Sequence, residues 1–143
     1  KSMKNKKSPL ENAFHFLSFR SRSEKEMRDY LTKKEYSTPD VENTIGRLKE
    51  LGLINDEKFM AELILARSHN KPKGKKALII ELKRKGIKVE DLDINEDELA
   101  NEVLNRKNFK DKDRAQRFLY SRGFSWNTIE RAVKNWYNDA NEG

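Results

Sequence analysis

The heptapeptide LKRKGIK (Leu82–Lys88) indicates how the chain is organised, because two similar segments recur in it, LTKKEYS (Leu31–Ser37) and LYSRGFS (Leu119–Ser125). Each segment has a leucine, a basic centre, a turn position and then an apolar or aromatic residue that leads into the next part of the chain. Internal repetition of this kind is typical of arrays of small supersecondary units. The sequence therefore predicts repeated units.

The repeat extends on both sides of these segments. The aligned apolar positions are Met27, Leu78 and Ala115 upstream, Val41, Leu92 and Ile129 downstream, and then the pairs Ile45 with Val133 and Leu48 with Trp136. Each unit would have three helices, and because one such unit buries little apolar surface alone, neighbouring units must pack on one another. The second unit departs from the pattern, since Glu96 stands at the position of Ile45. Its third helix is predicted to be short or missing.

The predicted fold class is all-α, with tandem three-helix repeats packed in series into an elongated monomer, because helical periodicity recurs throughout and strand-like alternation does not. The predicted helices cover residues 10–20, 23–34, 39–51, 56–69, 74–85, 95–106, 111–122 and 126–138. We predict a flexible basic tail at 1–9, repeat 1 at 10–55, repeat 2 at 56–94 and repeat 3 at 95–143.

Start and stop signals support these helices. Ser23 with Glu26, and Asn95 with Glu98, have the spacing of capping boxes. Thr38 and Pro39 fit an N-cap followed by proline in the first helical position. The C-cap residues, which favour the left-handed conformation, are predicted to be Gly52, Gly86 and Gly123.

Composition limits the class of protein. The 143 residues suffice for a row of small helical units but not for a thick single core. There is no Cys for a disulfide or a thiolate site, and no run approaches the roughly 18 apolar residues that a membrane span needs. The basic start KSMKNKK is followed by no signal-peptide core. We therefore expect a soluble cytoplasmic protein with no membrane partner.

The inventory of reactive residues argues against an enzyme. His15 and His69 lie in different predicted units and form no HExxH motif. The segment KPKGKK lacks the earlier glycine of a phosphate-cradling loop, and EDLDINEDE lacks the glycine and the ligand spacing of a calcium loop. We expect no catalytic residue, no metal site and no cofactor.

The net charge of +7 is concentrated in the middle of the chain. Between Lys71 and Lys88 there are eight basic residues and one acid, Glu81, and residues 89–102 then hold seven acids and no base. Such runs can be solvated helix faces and a loop, or they can form a basic binding surface.

Four segments resemble successive signatures of the bacterial RecX family: FLSFRSRSEKEMRDYL, LGLINDEKFMAELILAR, KGKKALIIELKRKGI and FLYSRGFSWNTIERAV. The resemblance runs from about Ala13 to Trp136. It implies three tandem three-helix repeats in a curved, elongated molecule. It also implies a regulator of the RecA recombinase that lodges in the groove of the RecA filament on single-stranded DNA, modulates filament growth and activities, and so takes part in recombination and DNA repair.

The candidate binding residues are basic. In the second repeat, packing through Leu78 and Leu82 leaves the charged face of their helix free to bind phosphate or carboxylate groups. The candidates are Lys75, Lys76, Lys83, Arg84 and Lys85 there, Arg20, Arg22 and Arg28 in the first repeat, and Arg114, Arg117 and Arg122 in the third.

The apolar residues between repeats 1 and 2 are predicted to be structural. The expected core residues are Leu53, Ile54, Phe59, Leu63 and Ile64, and Asn55 with Asp56 is expected to cap the next helix. Phe14, Phe118, Phe124 and Trp136 are also expected in the core, whereas Tyr120 and Trp126 are less committed and offer an alternative as base-stacking platforms.

Two classes of function remain open. One is a regulator of the recombinase filament, and the other is an autonomous helical DNA-binding module that acts through the basic second repeat. The acidic tract beside the basic run favours a partner that presents both signs of charge over a uniformly negative polymer.

Overall fold

The computed structural model describes residues 7–142, and within this range the chain forms eight α-helices and no strand. The helices are α1 (Pro9–Leu17), α2 (Glu24–Lys33), α3 (Thr38–Glu50), α4 (Asp56–His69), α5 (Lys75–Arg84), α6 (Glu96–Arg106), α7 (Lys112–Ser121) and α8 (Trp126–Glu142). The predicted all-α class is confirmed. Residues 85–95 contain no helix. Among the described residues, no helix is both long and apolar enough to cross a membrane.

Side-chain caps explain where most helices begin. Ser8 forms a capping box with Glu11 at the start of α1, and Ser23 forms the predicted one with Glu26. Residues 1–6 of the predicted basic tail lie outside the described residues. At α3 the prediction is wrong by one residue, because Ser37 is the N-cap and its hydroxyl accepts the N–H of Asp40. A serine hydroxyl caps as well as a threonine does, so spacing alone did not separate the two.

The three repeated segments adopt the same turn. Glu35, Gly86 and Gly123 occupy its equivalent position, with φ angles of 71°, 84° and 84°. The leucine that opens each segment is fully buried, and so are the residues aligned four positions before it. The left-handed conformation costs a glycine nothing, and Glu35 adopts it despite its side chain. The structural repeat predicted from these segments is confirmed.

The chain divides into two compact units. Unit 1 comprises the described residues up to Glu62 together with Arg84–Ile87, and unit 2 comprises Leu63–Lys83 with the residues from Lys88 onward. In unit 1, α1, α2 and α3 pack on one another. Their core contains Ala13, Met27, Leu31, Val41, Ile45, Leu48 and Ile54.

In unit 2, α8 packs against both α6 and α7. The core contains Ala100, Val103, Leu104, Ala115, Leu119, Phe124, Ile129, Ala132 and Val133, with Phe118 and Trp136 packed at its edge. Leu78 and Leu82 of α5 are also buried. This arrangement leaves the opposite face of α5 to solvent.

Two predicted core residues are exposed. Phe14 is 45% exposed, because α1 buries the face that carries Ala13 and packs Leu17 against the core, while Phe14 lies about 100° further round the helix. Leu53 is also 45% exposed, whereas the next residue, Ile54, is buried. Both residues lie in the turn that follows α3, where their N–H groups bond the carbonyl of Leu48, and only Ile54 enters the core. Leu63 and Ile64 are half-buried.

Phe59 is only 7% exposed in unit 1, as its predicted structural role requires. Phe59→Ala should leave a cavity and lower the free energy of unfolding by about 3 kcal/mol. Thermal unfolding measures this effect. Leu65→Ala on the same helix removes an exposed side chain and should change stability by less than about 0.5 kcal/mol. A Phe59→Ala variant that melts like the wild type but loses function would instead make Phe59 a contact residue.

Candidate interaction surface

Helix α5 presents an exposed basic face. Lys76 and Lys83 lie two turns apart on the same side of the helix, opposite the buried Leu78 and Leu82. Ile80 lies between the two lysines and is 44% exposed. Arg84, the last residue of α5, is also exposed. Within the described residues none of these three cations has an ion-pair partner, so their charge is available to a ligand.

Two other predicted site residues of this segment are already paired. The ammonium group of Lys75 lies 3.3 Å from a carboxylate oxygen of Asp91. Lys85 donates a hydrogen bond of 2.7 Å to Glu26 in unit 1. Each would have to exchange an existing partner to bind an external anion.

The arginines of the first repeat are engaged within unit 1. Arg20 forms a bidentate pair with Glu26, and Arg28 binds Glu42 in the same way and also bonds Glu24. The guanidinium of Arg22 stacks 3.6 Å from the ring centroid of Phe16 and donates to the Phe16 carbonyl. Burial lowers the pKa of Arg22, as does the neighbouring Arg20. These side chains stabilise the unit before any partner binds.

The arginines of the third repeat differ from one another. Arg122 donates to the carbonyl oxygens of Lys71 and Pro72, each at 3.2 Å, and thereby holds residues 71–72 against α7. Arg114 lies 4.0 Å from Asp111 on the surface. Arg117 is exposed and has no ion-pair partner among the residues that the structure describes. Tyr120 and Trp126 are exposed as well.

A buried carboxylate, missed by the sequence analysis, organises unit 2. Glu96 is 8% exposed and begins α6, and its carboxylate contacts the starts of both α5 and α8. One of its oxygens accepts the N–H of Lys75 at 2.7 Å. The other accepts the N–H and hydroxyl of Ser125 and the hydroxyl of Thr128. The unexpected charge at an apolar repeat position was the only signal in the sequence.

The electrostatics of Glu96 follow from these bonds. Burial acts to raise the pKa of the carboxyl, but the hydrogen bonds from Lys75, Thr128 and Ser125 outweigh it and hold the pKa below its usual range. A carboxylate at two helix N-termini is also favoured by the helix dipoles. Glu96 lines a cleft of about 850 Å³ with Lys76, Ile80, Asp97 and Arg131. Arg131 bonds Asp97 at 3.1 Å.

Two further carboxylates carry large shifts. Arg67 and Lys73 both bond Glu81 in unit 2, and the bond from Arg67 is the main reason that the pKa of Glu81 falls to about 2. In unit 1, burial opposes the charge of Glu26, but bonds from Arg20 and Lys85 lower its pKa to about 2.

These shifts predict acid sensitivity. A carboxyl whose pKa is lower in the folded than in the unfolded state contributes stability above about pH 4.3, and this contribution is lost as the pH falls towards 2. The melting temperature should therefore drop steeply as the pH falls from about 4 to about 2, because both carboxyls become protonated in this range. Glu81→Gln should flatten that drop, whereas Glu130→Gln, at an exposed position, should not. An unchanged pH profile in Glu81→Gln would contradict the assignment.

The fold defines the class of tandem helical-repeat proteins. A family model described as the first three-helix domain of RecX matches residues 10–48, and one described as its third three-helix domain matches residues 95–133. A protein of Pelodictyon phaeoclathratiforme named regulatory protein RecX is 30% identical over 85% of this chain and 84% of its own length. The chain belongs to the RecX family of regulatory proteins.

Other relatives agree with this assignment. The regulatory protein RecX of Bacillus pumilus is 32% identical over 95% of this chain, which spans 58% of that longer protein. The crystal structure of RecX from Lactobacillus salivarius aligns with a TM-score of 0.72 at 18% identity, covering 90% of this chain and 94% of that one. The structural similarity supports the tandem helical-repeat fold.

Proposed function

We propose that this protein regulates the RecA recombinase. It binds in the groove of the RecA filament on single-stranded DNA and limits filament growth, recombinase activity and ATP hydrolysis, in the control of recombination and DNA repair. Membership of a family of regulatory proteins supports this role. The observation that carries the proposal is the α5 face, where Lys76, Lys83 and Arg84 are exposed and unpaired among the described residues.

The α5 face suits a filament of protein on DNA. Its cations can meet carboxylates of the recombinase or phosphates of the strand, and Ile80 between them can be buried against protein. Exposed charges also steer association, since long-range attraction raises the rate of encounter. Arg117 is a further exposed cation with no ion-pair partner in the described part of the chain, whereas the paired candidates stabilise the folded repeats. The proposed regulator acts as a monomer in the cytoplasm and needs no cofactor.

A second candidate is an autonomous DNA-binding module that uses the same basic face. The acidic tract argues less strongly against this candidate than its sequence suggests, because several of its carboxylates are paired or buried within the protein. Asp91 pairs with Lys75, Asp97 with Arg131 and Glu102 with Arg106, while Glu96 is buried. Fewer free acids remain beside the basic face to repel a uniformly negative polymer.

The deciding experiment compares binding to single-stranded DNA with and without assembled recombinase, over a range of salt concentrations. Binding to naked DNA should weaken steeply as salt rises, because it depends on counterion release. Binding to the filament should persist at salt that abolishes naked-DNA binding, because protein contacts with apolar burial are screened less. If the two kinds of binding disappear together, the DNA-binding module becomes the better explanation.

A further inference from the structure

Unit 2 contains a second basic cleft, formed by residues 71–72, the end of α6 and one side of α7. Its volume is about 450 Å³. Four cationic residues line it, Lys71, Arg106, Lys107 and Arg122, and the floor is apolar, formed in part by Val103 and Phe118. No carboxylate is among its lining residues in the described part of the chain. The concentration of one sign of charge over an apolar floor calls for an anionic ligand with an apolar portion.

The cleft is preorganised. Arg122 bonds the carbonyls of Lys71 and Pro72, and the N–H of Gly74 donates to the Arg122 carbonyl at 2.9 Å. Arg106 donates to the carbonyl of His69 at 3.3 Å and reaches Glu102 at 3.5 Å. These contacts fix the walls before a ligand arrives, which reduces the entropy lost on binding.

Two of the four cations are uncommitted. The side chain of Lys71 is exposed and makes no ion pair with any described residue. The ammonium group of Lys107 lies 4.7 Å from the centroid of the Phe118 ring and has no carboxylate partner within the described range. Lysine ammonium groups are mobile point charges that can follow the phosphates of a flexible chain.

We propose that this cleft binds single-stranded nucleic acid, with backbone phosphates on the lysines and an adjacent nucleoside on the apolar floor. A cleft of this volume is of the size that takes one small ligand, so one nucleotide of a strand can enter where a duplex cannot. Cations beside an aromatic ring are the combination that binds strands without regard to sequence. The site extends the proposed function and does not depend on the recombinase.

The test is the double variant K71E/K107E with a fluorescent oligothymidylate of about 16 nucleotides as the probe. Neither substitution removes an ion pair among the described residues, and circular dichroism and melting should remain those of the wild type. At low salt the affinity should fall on the order of tenfold, and the salt dependence should become shallower by about 1.4 in log–log slope, which corresponds to two lost phosphate contacts. The matched control is K88E/K134E, which makes the same change of charge in unit 2 outside the cleft.

Each outcome decides the proposal. Equal losses in K71E/K107E and in the control would show that only net charge matters and would overturn it. Preferential displacement of the probe by polyglutamate of equal charge would make the occupant an acidic peptide and would also overturn it. Unchanged oligothymidylate binding in K71E/K107E would overturn the cleft as a binding site but leave the proposed filament role intact. If K71E/K107E loses binding as expected but the wild type does not restrain the filament, the cleft is retained and the proposed function is rejected.

Discussion

The variant K76E/K83E/R84E should lose restraint of the recombinase filament, with an effect on the order of tenfold or more. Each substitution reverses an exposed charge on α5 that has no ion-pair partner among residues 7–142, so the expected cost in stability is at most about 0.5 kcal/mol each. The measurement is inhibition of RecA-driven strand exchange and ATP hydrolysis. Lys75 is left unchanged, because loss of its ion pair with Asp91 would confound the result.

The control for this variant is the triple change of Lys33, Lys58 and Lys134 to Glu. It alters net charge equally at exposed positions off α5. The two variants are compared at salt that abolishes wild-type binding to naked single-stranded DNA. If the wild type restrains the filament there and only the α5 variant fails, protein contact through α5 carries the function. Equal inhibition by both variants would reject the α5 face as the site.

Gly74→Ala should be among the most destabilising single substitutions in unit 2. A Cβ at this position would lie 2.3 Å from the carbonyl oxygen of Gly123 and 2.5 Å from the Cα of Phe124, and these backbone atoms cannot rotate away. Overpacking of this kind typically costs about 3 kcal/mol or less, and the backbone contact places Gly74 at the upper end. The melting temperature should fall on the order of 10 °C.

Gly46→Ala provides the matched control. Gly46 lies inside α3, and beyond its chain neighbours and the backbone of its own helix no atom comes within 4 Å of the position that a Cβ would take. Alanine there should stabilise the helix by roughly 0.5–1 kcal/mol. Opposite signs for the two substitutions would support the close backbone approach at Gly74. A neutral Gly74→Ala would show that the loop relaxes and that the approach is not a constraint.

The helices could be predicted from the sequence because their signals are local. Ser23 and Glu26 meet across one turn, and Gly86 and Gly123 end their helices through a backbone conformation that few other residues accept. The same repeat pattern aligned Leu31, Leu82 and Leu119, and all three are buried. Periodicity was less informative for Phe14 and Leu53, which are exposed. Phe14 lies on α1 beside the face that the core covers, and Leu53 lies in the turn after α3, where helical periodicity no longer applies.

The charged site residues could be only partly predicted, because pairing depends on residues distant in the chain. Arg28 bonds Glu42, fourteen positions away, and Lys85 bonds Glu26, fifty-nine positions away. No spacing rule in the sequence anticipates either pair. Lys76 and Lys83 were easier to identify, since the buried Leu78 and Leu82 of their own helix determine which way they face.

The role of Glu96 also could not be predicted from the sequence. Its position in the repeat made it look like a defect of the second unit, since the equivalent residue in the first is Ile45. The structure surrounds it with the backbone of Lys75 and with the polar groups of Ser125 and Thr128. A sequence pattern cannot reveal such a site, because its donors come from two segments that are distant from Glu96 in the chain.

The bonds to Glu96 also mean that the repeats are not independent units that could be exchanged for one another. The first amide of α5 is completed by a side chain of the third repeat, twenty-one positions later. A fragment that ended before Glu96 would contain every residue of α5 and yet lack the acceptor that finishes its first turn. Grafting or deleting a repeat at the boundary predicted from the sequence would therefore cut through a shared joint, and a workable junction must keep Glu96 together with the helix that it caps.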